Sequence, residues 1–84
     1  MQKDISKRFR DRLRALRKDR GLTQYEAAEL CGIGQKLYQL YELGIKDNPG
    51  LKTLQRIAEG FGIEVHELLA PTMPKSRKNK LTKK

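Results

Sequence analysis

Near the start of the chain, Ile5, Phe9, Leu13 and Leu16 recur at spacings of three and four. At roughly 100° per residue they share an arc of about 80°, one apolar stripe on a helix. The pattern predicts a helix over residues 5–19, ended by Gly21. A second helix is predicted just after Thr23, because Thr23 and Glu26 have the T-x-x-E spacing of a capping box. Ala27, Ala28, Leu30 and Cys31 give it a narrow face of small residues, which another helix can approach closely. Gly32 follows where a helix C-terminus often needs positive φ. A third helix is predicted from Gln35 to Leu43, with Gly44 as its stop.

Two short helices joined by a three- or four-residue turn containing glycine is the helix-turn-helix layout. The stretch I-K-D-N-P-G that follows is too polar and too turn-rich for a helix. A fourth helix is predicted from Leu51 or Thr53 to Gly60, with Leu51, Leu54, Ile57, Ala58 and Phe61 facing inward and Gly62 as punctuation. A short fifth helix over Val65–Leu69 contributes Val65, Leu68 and Leu69 before Pro71. From Ala70 onward there is no periodicity, two prolines and dense positive charge, so this segment is expected to be disordered when free. The expected division is one helix-turn-helix domain over residues 1–70 and a basic tail over residues 71–84.

Length and composition narrow the class. Eighty-four residues make one small domain, and 37% hydrophobic residues with no Trp suit an all-α bundle. There is no apolar run near the roughly 18 residues that span a bilayer, and no signal-peptide core, so no membrane role and a cytoplasmic location are expected. The single cysteine, Cys31, allows no internal disulfide and no metal cluster. His66 has no carboxylate, serine or cysteine arranged to make it catalytic. Without a nucleophile–base pair or a phosphate-binding glycine loop, neither enzymatic activity nor a cofactor is expected.

The net charge is +9, and its distribution matters more than its size. Residues 3–20 hold nine Lys and Arg against three Asp; residues 21–69 hold four against seven acids; residues 70–84 hold six and no acid. A polyanion partner is the reading this favours, nucleic acid ahead of an anionic membrane. The competing reading is a solubilising surface. On the first helix Lys7, Arg10, Arg14 and Lys18 line up on one flank, and Arg17 falls between them and the apolar stripe. Arg17 is therefore expected to be half-buried and to need a partner.

The third helix has two chemically different sides. Tyr38, Tyr41 and Glu42 share one; Gln35, Lys36, Gln39 and Leu40 share the other, with Leu37 between. Two amides and an ammonium on an outward face suit the edges of bases, where Gln can pair with adenine and Lys can reach guanine or phosphate. An ordinary polar surface helix is the alternative.

In its order of elements and in its residues, the chain resembles the phage-repressor/Cro type of helix-turn-helix protein, also called the xenobiotic-response-element family. The matching stretches are R-L-R-A-L-R-K-D-R-G-L-T-Q, then A-A-E-L-C-G-I-G-Q-K-L-Y-Q-L-Y-E-L-G, and after the loop L-K-T-L-Q-R-I-A-E-G-F-G-I-E-V-H-E-L-L. The set L-x-x-L-R, G-L-T-Q, E-x-G, L-x-x-I-A and E-L-L covers roughly residues 9–69. The resemblance implies a compact five-helix bundle of the lambda-repressor-like kind. It also implies an ion pair between Arg17 and Glu42. Gln24 takes the family's position for touching phosphate and bracing the third helix, and Gln35, Lys36, Gln39 and Leu40 take its base-reading face. Thr23, Gln24, Lys46 and Asn48 are the expected phosphate-positioning set. The chain departs from the family pattern at Gly34, a weaker N-cap than Ser or Thr. It departs again at Leu40, which suits a thymine methyl or a protein surface.

The expected function is a sequence-specific regulator of transcription, a repressor, binding double-stranded DNA as a homodimer on a palindromic operator. The alternative is a protein-interaction module of the same fold, an antitoxin or adaptor, with Leu37, Leu40 and Leu43 as its contact surface.

Overall fold

Short-range signals bound several of the helices. The computed structural model describes residues 5–73, and within them the secondary structure is all α: α1 (Ile5–Asp19), α2 (Gln24–Cys31), α3 (Gln35–Leu43), α4 (Leu51–Phe61) and α5 (Val65–Leu69). The expected tail lies outside the described residues from position 74 onward. At the start of α2 the Thr23 hydroxyl accepts the Glu26 backbone N–H at 3.1 Å, and the Glu26 carboxylate accepts the Thr23 N–H at 2.9 Å. The reciprocal pair satisfies two of the donors that a helix N-terminus leaves open. Gly34 opens α3 with no side-chain cap. Helices α2, α3 and α4 all end on a left-handed glycine. At Gly44 the reason is twofold: φ is +81°, and a Cβ there would lie 2.9 Å from the Arg10 side chain.

α1 lies against α3 and α5, α2 against α3 and α4, and α4 against α5. They enclose one core in which Leu13, Leu16, Tyr38, Ile57, Phe61 and Leu68 are almost fully buried. Each such side chain contributes about 1.5–3 kcal/mol of apolar burial. Phe9 meets Tyr41 edge to face, with centroids 5.8 Å apart, which fixes α3 across α1. α4 comes close against α2 at Gly60, where an added Cβ would stand 2.7 Å from the Cys31 Cα and the Leu30 carbonyl oxygen. α4 thus continues through Gly60 to Phe61, and Gly62 is its cap.

Three side chains depart from the expected pattern. Leu51, expected inward, is 83% exposed. As the first residue of α4 it leans back over the loop, because helical Cα–Cβ bonds tilt toward the N-terminus. Ile5, the first residue of α1, is likewise at the exposed edge of its stripe. Leu30 is exposed because it lies about 60° outside the arc of Ala27, Ala28 and Cys31.

Candidate nucleic-acid interface

The face of α3 is set by what its opposite side does. Glu42 is 1% exposed, yet its carboxylate receives four hydrogen bonds from three helices. Arg17 of α1 donates through Nε to Oε2 at 2.9 Å and through Nη2 to Oε1 at 3.0 Å. Gln24 of α2 donates through Nε2 to Oε1 at 2.8 Å, and the Tyr38 hydroxyl donates to Oε2 at 2.8 Å. Burial alone would raise the Glu42 carboxyl; bonds from Arg17, Gln24 and Tyr38 overcome it and hold the group below its ordinary value. Arg17 is raised in turn by its bond to Glu42, while burial and then Glu42 push the Tyr38 phenol up. Arg17 also donates to the Leu22 carbonyl at 3.0 Å, so the turn before α2 is tied to the same centre.

With Tyr38, Tyr41 and Glu42 turned inward, Gln35 and Lys36 stand exposed at the first turn of α3, and Gln39 and Leu40 lie half-buried one turn on. Gln24 is brought to this face: its Oε1 accepts from Gln39 Nε2 at 3.4 Å. Thr23 is exposed with its hydroxyl oxygen engaged in the cap, which leaves its hydrogen to donate. Lys46 is exposed just past α3, its backbone N–H donating to the Leu40 carbonyl at 3.2 Å. Asn48, also exposed, stands two residues further along the loop and lines a hollow with Ile5, Ser6, Phe9, Asp47, Pro49, Leu54 and Leu69. Of the three leucines considered for protein contact, Leu37 packs against the core and Leu40 is half-buried, while Leu43 is 51% exposed.

Part of the basic character of α1 is turned to the fold itself. Arg8 donates to the Leu69 carbonyl at 3.1 Å, and Arg12, 6% exposed, donates to the carbonyls of Glu67 and, at 2.7 Å, Ala70. Arg14 donates to the Glu42 carbonyl at 3.3 Å, and Arg20 to the Phe61 carbonyl at 2.6 Å while lying 5.4 Å from the Phe61 ring centre. One helix and the residue after it therefore supply guanidinium caps to the C-terminal ends of α3, α4 and α5, where carbonyls lack intrahelical partners and the helix dipole is negative. Each of these arginines thus directs at least one N–H to a carbonyl of the fold, while Arg14 remains exposed. Burial lowers the Arg12 value, with the neighbouring Arg8 adding to the effect. The available signal was position: Arg12 lies about 20° from the edge of the apolar stripe of α1.

Among the described residues no three His, Cys, Asp or Glu converge to hold a metal, and no helix is long and apolar enough to cross a membrane. The Cys31 thiol is buried and pushed up to about 12 by desolvation, and so is unreactive.

A family profile described as helix-turn-helix matches residues 13–68. The chain is 36% identical over 62 residues to the cryptic phage CTXphi transcriptional repressor RstR of Vibrio cholerae, covering 74% of this chain and 55% of that one. It is 42% identical over 59 residues to the HTH-type transcriptional regulator DdrOP3 of Deinococcus deserti, covering 70% and 45%. The chain thus spans about half the length of these relatives. In fold it is similar to a hypothetical transcription factor, NHTF, from Neisseria, with a TM-score of 0.75 at 23% identity over 96% of this chain and 88% of that one.

Proposed function

Since the chain belongs to the helix-turn-helix family of phage-repressor type, we propose that it is a sequence-specific, double-stranded-DNA-binding regulator of transcription. In this reading it is a repressor that acts as a homodimer on a palindromic operator. The observation that carries the proposal is the Glu42 centre, which joins α1, α2 and α3 and leaves Gln35, Lys36 and Gln39 on the outer side of α3. Gln35, Lys36, Gln39 and Leu40 read base edges in the major groove, the two amides suiting adenine and Leu40 a thymine methyl. Thr23, Gln24 and Lys46 set the register on phosphates, with Asn48 further along the loop. The basic residues beyond position 73 add salt-sensitive affinity that carries no sequence information.

The test is selection of bound sequences from random duplex DNA by the full chain at about 0.15 M salt. A palindromic consensus with half-sites about one helical turn apart is expected; absence of any enriched sequence would overturn the proposal. Exposed Leu43 and Ile45 favour the second reading, a protein-contact module of the same fold. Exchange of both Gln35 and Lys36 for Ala separates the two: operator binding is lost in the first and function is untouched in the second.

A further inference from the structure

Along the side of α1 that meets α5, the helix and the residues after α5 border a cleft of about 520 Å3. Lys7, Arg8 and Arg12 bring three positive charges to it against the one carboxylate of Asp11, an excess of two. Asp11 is already paired, with Lys7 at 2.8 Å and Arg10 at 3.5 Å. Among the described residues no ion pair reaches Arg8 or Arg12. Their partners are the carbonyls of Glu67, Leu69 and Ala70, which offset only part of the charge. A guanidinium as buried as that of Arg12, 6% exposed, ordinarily lies against an anion. Burial, and then the charge of Arg8, accordingly loosens the Arg12 proton. The carbonyls take one of the five N–H donors of Arg8 and two of those of Arg12, so both side chains have donors to spare.

The rest of the cleft is apolar: the Ala15 methyl, the Pro71 ring and Met73, which is 40% exposed. A methionine side chain adapts to irregular shapes, and the volume lies within the roughly 300–1,000 Å3 of small-molecule sites. We propose that this cleft binds a small organic anion, its carboxylate or phosphate held by Arg8 and Arg12 and its apolar body lying on Ala15, Pro71 and Met73. Planar guanidinium donors match the oxygens of either head group. An excess of two charges suits one such group rather than a polyanion. A metal cation would meet one carboxylate and three repelling charges. Among the described residues, none that lines the cleft belongs to α2, α3 or the loop between α3 and α4. The site is therefore separate from the face proposed to read bases, and the inference does not depend on DNA binding.

The experiment follows the Ala15 and Met73 methyl signals of the full chain by NMR, with ionic strength held constant by sodium chloride. Sodium hexanoate, hexyl phosphate, inorganic phosphate and hexylammonium chloride are titrated separately. Hexanoate, hexyl phosphate or both should shift the two signals saturably, with a Kd of about 1 mM or lower; which of them does so identifies the head group. Inorganic phosphate lacks the apolar body and hexylammonium carries the wrong charge, so each should bind at least about tenfold more weakly. Ala15→Asp sets a negative charge in the cleft at an exposed position and should weaken anion binding at least about tenfold. Three results each overturn the proposal: shifts that saturate with neither organic anion, equal affinity for inorganic phosphate or hexylammonium, or full affinity in Ala15→Asp. Should Ala15→Asp not fold, Met73→Asp takes its place, read at the Ala15 methyl with the same two outcomes.

Discussion

A carboxylate with 1% exposure is tolerable at Glu42 because both oxygens meet donors from Arg17, Gln24 and Tyr38. Removing it strands a guanidinium that is itself only 16% exposed. Glu42→Ala is therefore expected to cost about 3–5 kcal/mol in urea unfolding, a large share of the roughly 5–15 kcal/mol typical of a domain. A loss below about 0.5 kcal/mol would mean a solvated pair. The pH dependence follows from the direction of the shift. Glu42 is held below its ordinary value in the folded chain, so its contribution is complete above the unfolded value of about 4.3 and is lost as pH falls through the folded value. The stability lead of the unaltered protein over Glu42→Gln should shrink as pH drops below about 5; a constant lead down to acid pH would refute the assignment. At this scale the sequence is legible in part. Arg17 and Glu42 can be found because each sits at the edge of an apolar face and needs a partner. The convergence of Gln24 and Tyr38 on the same carboxylate cannot, since it depends on how three helices dock. Arg12 escapes a sequence reading because a charged residue beside a stripe looks solvated until the carbonyls it caps are in place.

Element boundaries are set by short-range chemistry, which is why the sequence reveals them. The Thr23–Glu26 box and the glycines at 32, 44 and 62 act within one turn of where they stand. What periodicity does not convey is how far a helix overhangs its neighbours, and so angle alone places Leu51 and Ile5 in the core. Nor does it distinguish a glycine that ends a helix from one that lets another helix approach. Gly60 is the second kind. In an exposed helix interior Gly→Ala gains about 0.5–1 kcal/mol. At Gly60 the new methyl would press on backbone atoms of α2 at 2.7 Å, and backbone cannot step aside as a side chain can. Gly60→Ala is expected to destabilise by about 1–3 kcal/mol, visible as a lowered thermal midpoint. A raised midpoint would show that α2 and α4 can separate freely.

At the scale of the whole molecule, the +9 charge includes two groups of cations placed differently. Several arginines of α1 and its C-terminal end spend their donors on carbonyls of α3, α4 and α5, whereas residues 74–84 carry six Lys and Arg and no acid. Truncation after residue 73 lowers the net charge from +9 to +3, six positive charges being removed. In the proposed DNA complex the plot of log affinity against log salt should then become shallower, by about 0.9 for each phosphate that is no longer neutralised. An unchanged slope would assign the salt sensitivity to residues 5–73. Within those residues, Glu42 has a consequence for motion as well as for binding. α1, α2 and α3 share one carboxylate, so α3 cannot unwind alone without leaving Arg17 and Gln24 facing an emptied site. Backbone amides of Tyr38 and Tyr41 should consequently exchange with deuterium only at the rate of global opening, while five-residue α5 opens at lower cost. A helix that opens only with the rest of the protein reaches its target already ordered, and association should proceed without a folding step.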